Sequence, residues 1–294
     1  MKHLSDSVNT TPDAAKADLT SKSVWRRAMH WAFGLVVVAG LVVLLAWSAL
    51  HVFIVPRIAD YRELLQQQAS RAVGMRVEIG SIRAQGGWLV PWFEATDIQL
   101  FDPQGRGALR LPRVLVALSP RSVLLRQFEA LDIEQPELEI RRDANGHVWV
   151  AGIDTSLASD GSGADWFFSQ PEFVVRQGVV HWRDESRPSA TQADAPVLTL
   201  NAVDVSIQNQ WFRHELRADV TPPDALGQRL SMQGKFYQRP WERAGDMTQW
   251  SGEVFADLPY VNLATLRQWV AMDKGLSLQE GRGLVRLSAN VHQG

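Results

Sequence analysis

Cysteine is absent from the 294 residues, which excludes disulfides, thiolate metal ligands and cysteine nucleophiles. A surplus of one charge is absent too: 30 Lys+Arg stand against 32 Asp+Glu, a net charge of -2. Nothing in that balance steers the chain onto nucleic acid. HExxH, GxSxG, a Walker loop and GxGxxG are all missing, so the usual metal, nucleophile and phosphate cradles are not encoded. The histidines His3, His30, His51, His147, His181, His214 and His292 are scattered, with no close pair at metal-ligand spacing. Asp184 and Glu185 are adjacent and would face opposite sides of a strand, so they cannot share a substrate. Gly161-Ser162-Gly163 lacks a preceding strand to hold a strained serine. Asp143-Ala144-Asn145-Gly146 continues as His147, Val148 and Trp149 where a calcium loop needs acids. The sequence therefore predicts a protein that is not an enzyme, with no catalytic residue, cofactor or metal.

What is present is one long apolar run. From Ala28 to Val55, 28 residues pass without Asp, Glu, Lys or Arg, and 23 of them are hydrophobic. As a helix the run would be about 42 Å long, enough to cross a hydrocarbon core of about 30 Å with some tilt. It is too long for the apolar region of a cleaved signal peptide, and no Ala-x-Ala site follows. A buried core helix is the other alternative. Arg26, Arg27 and Trp31 at one end, with Trp47 and Arg57 at the other, read as anchors at the two membrane surfaces. Lys16, Lys22, Arg26 and Arg27 place the N-terminus in the cytoplasm and the bulk outside. Residues 1–24 read as a disordered tail and 25–55 as an uncleaved signal anchor.

After Pro56, the residues Ile58, Tyr61, Leu65, Ala69 and Ala72 recur at helical spacing and Gly74 stops the pattern. From Met75 the period drops to two: Val77/Ile79, Ile98/Leu100, Val114/Val116 and Leu138/Ile140 alternate with polar neighbours. Turns are signalled at Gly86-Gly87, at Asp102-Pro103-Gln104-Gly105 and at the Asn-Gly of 143–146, so antiparallel pairing is the expectation. Ser122–Phe128 has room only for a turn or two of helix. Trp88 and Trp92 read as core anchors, with a lipid contact as the alternative. A Ser/Gly/Asp-rich linker is expected over 154–165, dividing a β module at 56–153 from a second β region at 166–294. The alternation returns at Phe173/Val175, Val180/Trp182, Val203/Val205/Ile207, Leu216/Ala218 and Leu230/Met232. A short helix is expected at Leu263–Val270, and Val285/Leu287/Ala289/Val291 end the chain in a strand with a bare edge, as the front piece of a longer protein would. The fold class is mainly β (α+β).

The segment Leu131-Asp132-Ile133-Glu134-Gln135-Pro136 through Asn145-Gly146-His147-Val148-Trp149-Val150 resembles the strand, proline, strand, Asn-Gly turn, Trp pattern of AsmA-like envelope proteins. The stretches Phe173–Asp184 and Gly252–Trp269 are similar to the YhdP branch. This resemblance implies an elongated, curved antiparallel β-groove in the periplasm, held in the bacterial inner membrane by a single pass. It implies that phospholipid acyl chains move along the groove between inner and outer membranes. Val77, Ile79, Ile98, Leu100, Val114, Val116, Leu138 and Ile140 would then line the lipid path, and the partners would be membrane lipids, the inner membrane and other envelope proteins. The residues themselves leave open a β-sandwich whose second sheet covers the first, and an assembly or tethering factor acting through sheet edges.

Overall fold

The computed structural model describes residues 13–86, 90–125, 127–154, 162–186, 197–262, 265, 269 and 281–293. The chain divides into two units, Met1–Ile54 and Val55–Gly294.

In the first unit, helix α1 covers Asp13–Ala49 and continues as a π-helical turn over Leu50–Ile54. Met29–Phe53 is the one described helix long and apolar enough to cross a membrane. Trp31, Leu35 and Leu44 are all exposed, and a helix apolar all round calls for a lipid or protein surround. Residues 13–24, expected in the tail, lie within this helix. Ala14, Ala15 and Ala17 are strong helix formers.

The second unit opens with a 3-10 stretch over Val55–Tyr61, bent at Arg57 (φ -114°), and then α2 over Arg62–Val73. Gly74 closes α2 in the left-handed conformation (φ 74°), and its amide bonds to Ser70 O, as the stop signal requires. The face that α2 packs on the sheet differs from expectation. Ile58 and Ala69 pack against the core, but Tyr61 and Leu65 are exposed, and the positions facing the sheet include Arg62, Gln66 and Ser70.

Among the described residues thirteen strands form one sheet: β1 Arg76–Gln85, β2 Trp92–Phe101, β3 Gly107–Ala117, β4 Ala130–Glu134, β5 Glu137–Arg142, β6 Val148–Val150, β7 Ile153–Asp154, β8 Glu172–Asp184, β9 Val197–Gln210, β10 Arg213–Thr221, β11 Leu230–Tyr237, β12 Ser251–Asn262 and β13 Arg282–Val291. β1 pairs β2, β2 pairs β3, and β8 to β13 follow one another as antiparallel neighbours. The sheet is mixed, which corrects the all-antiparallel expectation: β8 runs parallel to both β4 and β5. The segment between β5 and β8 is long enough for a crossover return, and it carries the short strands β6 and β7 and the helix α4 over Ser162–Ser169. β4 and β5 share one slot between β3 and β8, interrupted at Gln135-Pro136.

The expected linker does not divide the sheet. Asp154 ends β7 and Ser162 begins α4, and strands from both sides of 154–165 pair within the same sheet; residues 155–161 lie outside the described set. Helix α3 covers Pro120–Leu125, within the expected place. The helix expected over 263–270 and the side chain of Trp88 lie outside the described residues. Trp92 opens β2 and is 37% exposed, so it is no core anchor.

Both Asp-x-x-Gly turns form alike. Asp102 Oδ1 accepts from the amides of Gln104 and Arg106, and Asp143 Oδ1 from those of Asn145 and His147, with Gly105 at φ 79° and Gly146 at φ 88°. An Asp side chain that mimics a turn carbonyl explains the first position, and the left-handed backbone explains the last.

Candidate functional site

Residues directly opposite in a ladder share a face, so the register itself maps the sheet's two surfaces. One row runs Ile82, Ala95, Val114, Ile133, Val175, Val205, Ala218, Met232, Ala256, Leu287, one residue from each of ten strands. The next runs Ala84, Phe93, Val116, Leu131, Phe173, Ile207, Leu216, Gly234, Val254, Ala289. Neither contains a polar side chain. At the usual strand spacing each row extends about 43 Å across the sheet. A third row, Val77, Leu100, Leu109, Leu138, Val180, Leu200, crosses six strands.

The opposite face is polar. Ser81, Thr96, Arg113, Glu134 and Arg176 stand in register, and so do Asp204, Asp219, Ser231, Asp257 and Arg286. Ion pairs tie this face together: Arg113 with Glu94 and Glu134, Arg176 with Asp132, and Arg286 with Asp257 across strands, and Arg229, just before β11, with Asp204. Burial alone would raise the carboxyl pKa of Asp204 and Asp219. Hydrogen bonds and nearby guanidinium groups outweigh it, from the Gln177 amide and Arg229 for Asp204 and from Ser231 and Arg217 for Asp219, so both lie below the usual carboxylate value.

Each of the eight positions expected to line the path stands opposite apolar residues in the ladder, and the buried cluster of Val77, Ile79, Ile82 and Leu100 joins the third row to the first. Val77 lies opposite Leu100 and Ile79 opposite Ile98; Val114 and Val116 stand in the two long rows; Leu138 stands in the third; Ile140 lies opposite Val150 and Trp182. Val77, Ile79, Leu100 and Val114 are buried, whereas Ile98, Val116, Leu138 and Ile140 are half-buried. Sequence reading missed Ile82, Ala95 and Phe93. They are out of phase with the alternation that precedes them in β1 and follows them in β2, and Gly80 and Asp97 were the only local signs of the phase change.

Helix α2 covers the β1 border. Ile58 and Ala69 pack on Val77, Ile79, Ile82 and Leu100, while polar groups of α2 satisfy the strand's outer backbone. Ser70 Oγ accepts from Val77 N at 3.0 Å, Gln66 Oε1 from Ile79 N at 3.2 Å, and Arg62 Nη1 donates to Ile79 O at 3.1 Å. An edge strand is thus capped without a further strand.

Helix α4 covers one margin. Phe167 meets Phe173 of the second row edge-on, and Phe168 meets Trp250 in the same way. Trp250 stacks on His214 at 4.2 Å with 5° between the rings. Gln170, fully buried, accepts from Phe128 N, and its carbonyl accepts from Asn209 Nδ2. Asn209 Oδ1 then accepts a hydrogen bond from His214 Nδ1 at 2.7 Å. Burial holds the His214 imidazole below its usual pKa, opposed in part by the Gln238 side chain. No second sheet covers the apolar face among the described residues.

In the first unit, Trp31 is exposed and Trp47 packs against His51 at 5.3 Å; in the second, Arg57 is exposed at the bend. The side chains of Arg26 and Arg27 lie outside the described set. Among the described residues no group of three His, Asp or Glu could hold a metal ion.

No curated protein matches the chain. A protein-family model, that of the YhdP protein, matches residues 19–294. With nearly its whole length matched, and with an apolar helix followed by a long sheet as the architecture, this chain belongs to the YhdP protein family.

Proposed function

We propose that the chain takes part in phospholipid transport between the inner and outer membranes of the bacterial envelope, with acyl chains carried on the apolar face of the sheet. The single observation behind this reading is the pair of rows that cross ten strands without a polar side chain, while the other face is laced with ion pairs. A sheet with one apolar face normally buries it under a second layer. Here the cover consists of α2 at one border and α4 at one margin, and most members of the rows are half-buried rather than buried. Acyl chains are the surround that such a surface fits.

In this reading α1 crosses the inner membrane, Arg26, Arg27, Trp31, Trp47 and Arg57 mark its two surfaces, and the sheet stands in the periplasm. Val77, Ile79, Ile98, Leu100, Val114, Val116, Leu138 and Ile140 line the lipid path. The polypeptide contributes no reacting group; it supplies an apolar surface that spares acyl chains contact with water.

The test is lipid retention. Full-length protein extracted from membranes should carry phospholipid, and Val205→Asp or Leu216→Asp should reduce it, because an unpaired carboxylate there meets acyl chains and costs several kcal/mol if it cannot reach water. Ser206→Asp on the polar face should leave it unchanged. Retention that is equal in all three variants would overturn the reading and favour a tethering role through the sheet edges.

A further inference from the structure

Asp97, Gln135, Gln177 and Ala202 all have positive φ, at 50°, 54°, 54° and 45°. None is glycine, so each holds a backbone conformation that L-residues resist. They line up. Asp97 lies between the pairs Ile98–Leu111 and Thr96–Arg113, opposite Pro112. Gln135 follows Glu134, the partner of Arg113, and its amide donates to Arg176 O at 2.7 Å. Gln135 Nε2 reaches Gln177 Oε1 at 3.3 Å, and Gly178, next to Gln177, pairs with Val203, next to Ala202. The line therefore crosses the sheet from β2 to β9. On β1 it meets Gly80, where a Cβ would lie 2.9 Å from that of Asp97.

At each crossing the apolar residues step by three instead of two: Ile79 to Ile82, Ala95 to Ile98, Leu111 to Val114, Leu200 to Val203. Ile79 and Ile82 nevertheless belong to one buried cluster, so the step keeps both on the same face. Across β1, β2 and β3 the residues still face one to one, so each strand carries the same extra residue at the line, whereas between β8 and β9 the register itself shifts, as at a bulge, which bends the strand. The polar face clamps the line: Asp204 accepts from the Gln177 amide at 2.8 Å, and Arg229 holds both Asp204 (2.6 Å) and the Ala202 carbonyl (3.2 Å).

We propose that this line of left-handed backbone positions is a crease built into the sheet, with Asp204 and Arg229 as its positioning residues, and that it directs acyl chains across the strands, along the crease, rather than along any one strand. The inference rests on the lipid-carrying reading. Without the crease, the rows on one side would turn to the polar face, since a one-residue shift of register exchanges the faces.

A chain free of cysteine suits the test, a scan of single cysteines from Leu198→Cys to Ile207→Cys in the full-length protein in membranes. Two reagents are compared: a water-soluble maleimide, and a phospholipid whose acyl chain ends in a maleimide. The lipid reagent should favour positions 198, 200, 203, 205 and 207 over those between them by about tenfold, with the step of three between 200 and 203. In an Asp204→Ala background the lipid signal at 198 and 200 should fall while 205 and 207 keep theirs, and Asp204→Asn, which retains an acceptor, should restore it. The scan in the unaltered background decides the matter even if Asp204→Ala does not accumulate. Unbroken alternation from 198 to 207 with both reagents would overturn the crease. A break seen with the aqueous reagent, with the lipid reagent reacting nowhere, would support the crease and overturn the lipid reading.

Discussion

His214 is a basic side chain buried to 2% exposure between Trp250 and Phe168, and its chemistry is fixed by its neighbours. Asn209 donates to Gln170 O and must therefore accept from His214 Nδ1, which makes the neutral, Nδ1-protonated tautomer the folded form. Burial lowers the folded pKa below the unfolded value of about 6.5. Between those two values the unfolded chain binds the proton and the folded one does not, so stability rises with pH there. The contribution is complete above the unfolded value, falls as pH drops through the window, and levels off below the folded pKa. Urea unfolding at a series of pH values should show this slope in the native chain and lose it in His214→Phe. Asp204 and Asp219, with lowered pKa values, act in a separate window: their contribution is present above the usual carboxylate value and is lost in stronger acid. Trp250, the ring on which His214 stacks, is 6% exposed, and Trp250→Ala should cost about 3–5 kcal/mol in the same measurement.

At the level of elements, α2 and the crease show where a sequence speaks and where it falls silent. The helical period after Pro56 and the stop at Gly74 were legible, but which face would meet the sheet was not, because α2 uses Ser70 and Gln66 to satisfy the amides of Val77 and Ile79, and no hydrophobic pattern encodes that task. Removing both acceptors in Ser70→Ala/Gln66→Ala should destabilise the sheet by about 1–3 kcal/mol for each orphaned amide and promote aggregation through the β1 edge, measured by urea unfolding and light scattering. The alternation of Val77/Ile79, Ile98/Leu100, Val114/Val116 and Leu138/Ile140 was legible for the same reason that it exists: one face is apolar and successive side chains alternate. The step of three at Gly80, Asp97 and Ala202 was not, since an alternation broken by one extra residue reads as two shorter strands. The parallel entry of β8 was equally hidden, because strand direction depends on the crossover and leaves no mark on composition. At the crease, Ala202→Gly should be neutral to stabilising by about 1 kcal/mol, because glycine accepts φ 45° without strain, whereas Ala202→Val should destabilise.

Across the whole molecule, a membrane-length apolar helix precedes a thirteen-stranded sheet with one apolar and one ion-paired face, and membership of the YhdP family accords with that order. The central claim is that the apolar face carries lipid. It is tested most directly by placing a photoreactive amino acid at Val116, Leu216 and Met232 on that face, and at Leu115, Arg217 and Gln233 on the other, in full-length protein in membranes. Capture of phospholipid at the first three positions and not at their sequence neighbours is the result expected. Capture at neither set, or equally at both, would contradict it.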